Sequence, residues 1–320
     1  MVVTRVSSIS NSELKRFLIR TLAFLLPVFV FLVLCEIGLR KRMTDYKYKN
    51  LWLSEHAPTV EVFILGSSHS YSGIDPTVFS RRAFNGAHMS QDLNYDEFIF
   101  RKFAPKMDSL RYLILPISYF TPYWKLEETP DHARVKDYML YYHCPYHPFN
   151  PQYRLEVYDG LRPLVAIKAL LGIDPPRFFS DFGQLTNYTR QLRKENWKES
   201  GKTAAKRHTD QSLDQHTYDE NLTHAKMIAS LCQEKNVSLI LLTTPTYKTY
   251  HECLMPEQLS QMHVFCRQLE TTFSNVRYLD METDERFLEE DFFDADHLND
   301  QGAKKLTLIL ENYIMQLPRS

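Results

Sequence analysis

The chain has 320 residues, of which 44% are hydrophobic and 13% aromatic, which allows a substantial core and excludes global disorder. A net charge of −1 and a pI near 6.9 exclude the basic bias of a nucleic-acid-binding protein. The five cysteines (Cys35, Cys144, Cys232, Cys253, Cys266) have neither CxxC nor zinc-finger spacing, and their odd count argues against a disulfide framework. Buried free thiols are the expectation, and Cys253 with Cys266 is the pair an oxidising compartment would join.

The first element in chain order is apolar. Residues 21–35 (TLAFLLPVFVFLVLC) carry no charge, but at 1.5 Å per residue they reach only about 22 Å. A span needs about 20 residues, and residues 17–39 supply it, with Arg20 and Glu36 near its ends. No small-x-small site follows the run, as a cleaved signal would require, and Leu34 precedes Cys35 where a lipoprotein signal would have a small residue. The run is apolar all round, unlike the stripe of a globular helix. The expectation is an uncleaved transmembrane anchor. Basic residues flank it on both sides, Arg5, Lys15, Arg16 and Arg20 before and Arg40, Lys41 and Arg42 after, so charge barely sets its orientation.

Residues 40–58 read as a polar connector. Strands are expected at 60–65 (VEVFIL), 83–86, 110–117 (LRYLILPI), 237–243 (VSLILLT) and 276–279. Helical patterns fall at 77–82, 93–106, 218–235, 256–273 and 301–315. Residues 120–215 break this alternation with eight prolines and many aromatics, and read as a long insertion ending in a polar segment. The basic groups at Arg193-Lys194 and 202–207 read as solvated loop. Strands alternating with helices predict an α/β fold with a mainly parallel sheet covered on both faces. Sites in such folds form outside the carboxyl ends of the strands.

Two motifs carry chemistry. Gly66-Ser67-Ser68-His69-Ser70 follows the first strand, and Asp294-Ala295-Asp296-His297-Leu298-Asn299 precedes the last helix. A serine hydroxyl is a weak nucleophile that needs a base within reach and a group to orient that base. Ser68 supplies the hydroxyl and its own backbone N–H as an oxyanion donor. His297 supplies the base, and Asp294, three residues earlier, can reach its Nδ1. Each motif alone is weak, because small residues at strand ends and histidines in acidic loops are common. Together they make a catalytic set of Ser68, Asp294 and His297. His69, His88 and the other histidines read as surface or satisfied polar residues. No P-loop or GxGxxG is present, so no nucleotide or flavin cofactor is expected, and no metal.

These motifs resemble the first and last blocks of the SGNH (GDSL-type) hydrolase superfamily. The Ser67-Ser68-His69 variant resembles its membrane-anchored branches, which include alginate O-acetyltransferases and D-alanyl-transfer proteins. The resemblance implies a three-layer α/β/α domain over residues 59–320, with a cytoplasmic segment at 1–16 and an extracytoplasmic catalytic domain. It implies Ser68 as nucleophile, His297 as base and Asp294 as orienting acid. The second family block is matched loosely by Phe84-Asn85-Gly86-Ala87, which makes Asn85 and Gly86 oxyanion candidates. The third block, Gly-x-Asn-Asp, is absent. The equivalent strand end reads Leu115-Pro116-Ile117-Ser118-Tyr119-Phe120, leaving Ser118 or Tyr119 as a substitute.

By this resemblance the chain is a serine esterase or O-acyltransferase acting on a surface glycan or polymer, with a membrane-bound acyltransferase as partner. Tyr141, Tyr142, Tyr146, Phe149 and Tyr153 would then line a sugar groove or, in the plainer reading, form the insertion's own core. The alternative function is a non-catalytic glycan-binding or assembly subunit.

Overall fold

The computed structural model describes residues 11–173 and 176–317. Part of the expected N-terminal segment, including Arg5, lies outside the described residues. In chain order the helices are α1 (Asn11–Lys41), α2 (Asp45–His56), α3 (Ser68–Gly73), α4 (Leu93–Phe103), α5 (Val135–Tyr141), α6 (Pro163–Leu170), α7 (Ser200–His208), α8 (Gln215–Glu234), α9 (Lys248–His251), α10 (Pro256–Thr272) and α11 (Asp300–Gln316). The strands are β1 (Val62–Ile64), β2 (Ala83–Asn85), β3 (Tyr112–Pro116), β4 (Ser238–Thr243) and β5 (Val276–Asp280). The described residues form two compact units, one of 11–43 with 147–173 and a larger one of 44–146 with 176–317.

The larger unit is an α/β domain. Its five strands pair in parallel in the order β2-β1-β3-β4-β5. All five fall on the expected strand segments. β1, β3 and β4 are apolar nearly throughout, as strands covered on both faces must be, whereas the edge strand β5 carries Arg277 and Asp280 and is mostly half-buried. Side chains alternate across the sheet. Val62, Ile64, Ile114, Ile240 and Leu242 join one core with Leu298, Leu306, Leu310 and Ile314 from α11 and its approach. Right-handed crossovers place α3 and α11 together on that face and α4, α8 and α10 together on the other. The order reverses between β1 and β3, and Ser68 follows β1 at this switch point, where α/β sheets bind ligands.

Three segments differ from the sequence reading. The 40–58 connector is largely helix: Thr44 caps α2 by accepting from Lys47 N–H at 3.2 Å, and Tyr46, Lys49, Asn50 and Leu53 are buried. Its inner face carries Lys49 and Asn50, so no apolar stripe announced it. The helix expected at 77–82 is a single 3₁₀ turn, Pro76–Val78. The 120–215 insertion is divided, with 147–173 in the smaller unit and α5 and α7 in the larger one. Residues 202–207, expected as loop, belong to α7.

In the smaller unit, α1 runs 31 residues, about 46 Å at 1.5 Å per residue. It is long and apolar enough to cross a membrane. Leu18, Leu22, Leu26 and Phe29 are exposed along it, and Pro27 lies within it. α6 packs against α1.

Candidate active site

Ser68 opens α3, directly after the turn at Gly66 and the extended Ser67. Gly66 has φ +102°, a left-handed conformation that favours glycine. Its N–H donates to Asp96 Oδ1 at 2.7 Å, and Ser70 Oγ donates to Leu65 O at 2.7 Å. The turn is therefore fixed from both sides and holds Ser68 Oγ toward His297. His297 lies in the loop closed by the Phe292–Leu298 bridge, shortly before the start of α11. Asn299 caps that helix, its Oδ1 accepting from Gln301 N–H at 2.9 Å and Gly302 N–H at 3.0 Å.

The three expected residues converge from opposite ends of the chain. His297 Nε2 lies 2.8 Å from Ser68 Oγ. His297 Nδ1 donates to Asp294 Oδ1 at 2.9 Å. That oxygen also accepts from the backbone N–H of Asp296 at 3.1 Å and of His297 at 2.9 Å. Spacing Asp-x-x-His thus folds into a turn in which one carboxylate oxygen fixes both the loop and the imidazole. The arrangement is a nucleophile, a base and an orienting acid.

A second carboxylate stands behind the first. Asp296 Oδ2 lies 3.6 Å from His297 Nδ1, 3.5 Å from His69 Nε2 and 4.0 Å from Arg207 Nη2. The rings of His69 and His297 meet edge to face at 4.9 Å. On its other side His297 meets Tyr188 edge to face at 5.3 Å, and Tyr188 stacks on Phe293 at 4.2 Å. Burial alone would lower the His297 pKa, but the charges of Asp294 and Asp296 and the Asp294 hydrogen bond raise it to about 9. Burial would raise Asp296, yet the neighbouring histidines hold it well below the ordinary carboxylate range. Burial lowers His69, and it pushes His208 down to about 3. Asp296 therefore faces one imidazole that tends to be charged and two that stay neutral.

His69 and Asp296 were not singled out from the sequence, and His69 was read as surface or satisfied polar. Their only sequence signal is adjacency to Ser68 and His297. The structure also reassigns three oxyanion candidates. Asn85 is buried, with Nδ2 donating to Ser70 O at 2.8 Å and Oδ1 accepting from Ala87 N–H at 3.1 Å. Gly86 N–H donates to Ile64 O at 2.7 Å. Ser118 Oγ lies 2.8 Å from His69 Nδ1. An ionised Asp296 only accepts, so His69 Nε2 carries the proton, Nδ1 accepts, and the Ser118 O–H is spent on it. Tyr119, the other substitute, points its hydroxyl to Thr209 at 2.9 Å and receives Met255 N–H at 3.1 Å. Ser68 N–H, in the first turn of α3, has no backbone acceptor among the described residues.

Of the two readings of the insertion's aromatics, burial favours core packing over a sugar groove for three of them. Tyr141, Tyr142 and Tyr153 are buried, and the five aromatics are divided between the two units. A cavity of about 400 Å³ instead adjoins Asp294 and Phe293, lined by Lys194, Asn196, Trp197 and Ser200 among others. His69, Asp296 and His297 place one ligand atom each within 4.8 Å of one another, a spacing a metal could use. The His297 Nδ1 proton committed to Asp294 opposes coordination there. All five cysteines are free, with Cys253 exposed and Cys266 buried.

Neither a known family model nor a curated protein matches the chain. Solved structures do. A proposed acylhydrolase from Bacteroides fragilis NCTC 9343 is similar at 9% identity and a TM-score of 0.41, over 85% of this chain and 94% of that one. A proposed platelet activating factor from Streptococcus pneumonia is similar at 11% identity and a TM-score of 0.42, over 95% of this chain and 100% of that one. A GDSL-like lipase from Bacteroides thetaiotaomicron VPI-5482 is similar at 9% identity and a TM-score of 0.40, over 85% of this chain and 99% of that one. Likeness at this level assigns neither family nor activity to the chain.

Proposed function

We propose that this chain is a serine-dependent acyl-ester hydrolase or O-acyltransferase of SGNH type, working through Ser68, His297 and Asp294. The observation that carries it is the in-line contact of Ser68 Oγ with His297 Nε2 at 2.8 Å and of His297 Nδ1 with Asp294 Oδ1 at 2.9 Å. Neutral His297 takes the Ser68 proton as Oγ attacks the acyl carbonyl. The tetrahedral oxyanion meets the Ser68 N–H, and the imidazolium returns the proton to the departing alkoxide. Water or a second hydroxyl, activated in turn by His297, then releases the acyl group from Ser68. Asp294 keeps Nδ1 protonated and Nε2 free.

A surface glycan or polymer is the substrate class in this reading, with the domain extracytoplasmic and a membrane-bound acyltransferase as partner. It is supported by the membrane-length α1 and by the motif variant around Ser68. The second reading, a non-catalytic glycan-binding or assembly subunit, is favoured by one observation: Asn85, Gly86 and Ser118 are all committed elsewhere. One oxyanion donor is worth roughly 2.7–4 kcal/mol, so losing the side-chain donor weakens turnover without removing the covalent step. Labelling with a serine-directed fluorophosphonate separates the two. The wild-type chain should label and turn over an aryl acetate, and Ser68→Ala should do neither. A wild type that neither labels nor turns over ester favours the binding role, and Ser68→Ala labelling equally rejects Ser68 as the nucleophile.

A further inference from the structure

In the unit formed by α1 and residues 147–173, a seam of mostly small side chains is buried while many large apolar groups are exposed. α6 turns Ala166 and Ala169 inward and sets Ala166 against Gly38 of α1. A Cβ at Gly38 would lie 2.6 Å from the Ala166 carbonyl oxygen, so only glycine permits this approach. Cys35, Leu39 and Ala166 close the seam, with Val157 and Val165 packed on it. The charges of α1 at this level are used within the unit. Glu36 accepts from Val157 N–H at 3.0 Å and from Arg40 Nε at 2.5 Å, and Arg40 Nη2 donates to Arg154 O at 2.7 Å. Glu36, awkward in the sequence for a membrane helix, is thereby neutralised and satisfied.

Outward, beside the exposed Asp159, Arg162 and Lys168, stand large apolar groups. Leu164 is 74% exposed and Leu171 71%, and Tyr158, Leu161, Ile167 and Ile173 are each about half exposed. Apolar surface on this scale marks an interaction site. α1, against which α6 packs, carries an exposed apolar length of its own. The eight residues of α6 reach only about 12 Å, too short for a hydrocarbon core of about 30 Å. A short helix with one face packed on a membrane-length helix and the remainder apolar suits the lipid boundary. Lys168, also exposed, has a stem long enough to lift its ammonium to the headgroups.

From the seam and the outward apolar groups we infer that residues 158–173 lie in the plane of the bilayer surface, with acyl chains covering Leu164, Ile167 and Leu171. This rests on α1 crossing a membrane. The full chain with Cys253→Ser, reconstituted in vesicles of phosphatidylcholine and phosphatidylglycerol, tests it through single nitroxide labels at Leu164→Cys, Leu171→Cys, Leu25→Cys in α1 and Met227→Cys in α8. All four positions are exposed, so packing is preserved. Molecular oxygen should relax the labels at 164, 171 and 25 several-fold more than a water-soluble nickel complex does, and the ratio should invert at 227. Labels at 164 and 171 that match 227 while 25 stays lipid-like overturn the inference and leave the span intact. A water-like label at 25 removes the span and the inference together. Dipolar broadening at 164 or 171 that disappears on dilution with unlabelled chain shows a second copy on this face, which also overturns it.

Discussion

The larger unit contains two Asp–His–hydroxyl relays of nearly equal geometry. In one, Asp294, His297 and Ser68 are joined at 2.9 and 2.8 Å. In the other, Asp45 Oδ2 meets His88 Nδ1 at 3.0 Å and His88 Nε2 meets the Tyr142 hydroxyl at 3.0 Å. Their proton affinities are opposite. His297 is raised to about 9, whereas burial first and then the Lys49 cation push His88 down to about 4. Asp45 shares its charge among His88, Lys49 and the Tyr71 hydroxyl, which donates to it at 3.0 Å. His297 has two carboxylates beside it, with the Arg207 cation acting against them. The hydroxyls differ as well: Tyr142 is sealed inside, and Ser68 is partly open. Hydrogen-bond geometry alone therefore does not make a site; the surrounding charge and the access of the terminal hydroxyl do.

The sharpest way to break this comparison is to remove one ring or hydroxyl from each relay. His297→Ala should lower ester turnover by roughly 10⁵-fold or more, because triad members act as a unit. Tyr142→Phe should leave turnover near wild type and cost about 1–3 kcal/mol in urea unfolding, because it strands His88 Nε2 in the interior. Equal losses of activity in the two variants would make the buried relay part of the chemistry.

A smaller effect isolates charge. His297 acts as a base only when neutral, so kcat/KM should rise with pH along a limb centred near 9. Asp296→Asn removes one carboxylate and should move that limb downward, toward the ordinary histidine range, with part of the maximal rate retained. Stability carries the matching sign. A pKa raised on folding contributes stability that is complete below the unfolded value of about 6.5 and is lost as pH climbs through 9. An unmoved limb in Asp296→Asn would limit Asp296 to packing.

The smallest effects lie within the turn. Ser70 Oγ is buried and bonded to Leu65 O and Ser67 O, so Ser70→Ala should cost about 1 kcal/mol of stability and little turnover. Ser67 makes no capping bond, and Ser67→Ala should be near neutral in both measurements. A dead Ser67→Ala or Ser70→Ala beside an active Ser68→Ala would move the nucleophile within the turn.

Local chemistry made part of this protein legible in its sequence. β1, β3 and β4 are short apolar runs because both faces of a parallel sheet are covered there, and the central part of the membrane-length helix is apolar on every side. Asp294 and His297 are three residues apart, and Ser68 follows a strand, so the triad needed only the α/β pattern to bring its halves to one sheet edge. Tertiary structure alone decided the rest. Asp296 and His69 matter through a 3.5 Å contact between residues more than two hundred positions apart, and the insertion brings Tyr188 against His297 and Arg207 to within 4.0 Å of Asp296. The commitment of Asn85, Gly86 and Ser118 to strand, turn and histidine partners depends on which neighbour lies within 3 Å. Hydrogen-bond partners and local fields are set by distances across the fold, and a linear pattern of residue types carries no such distances.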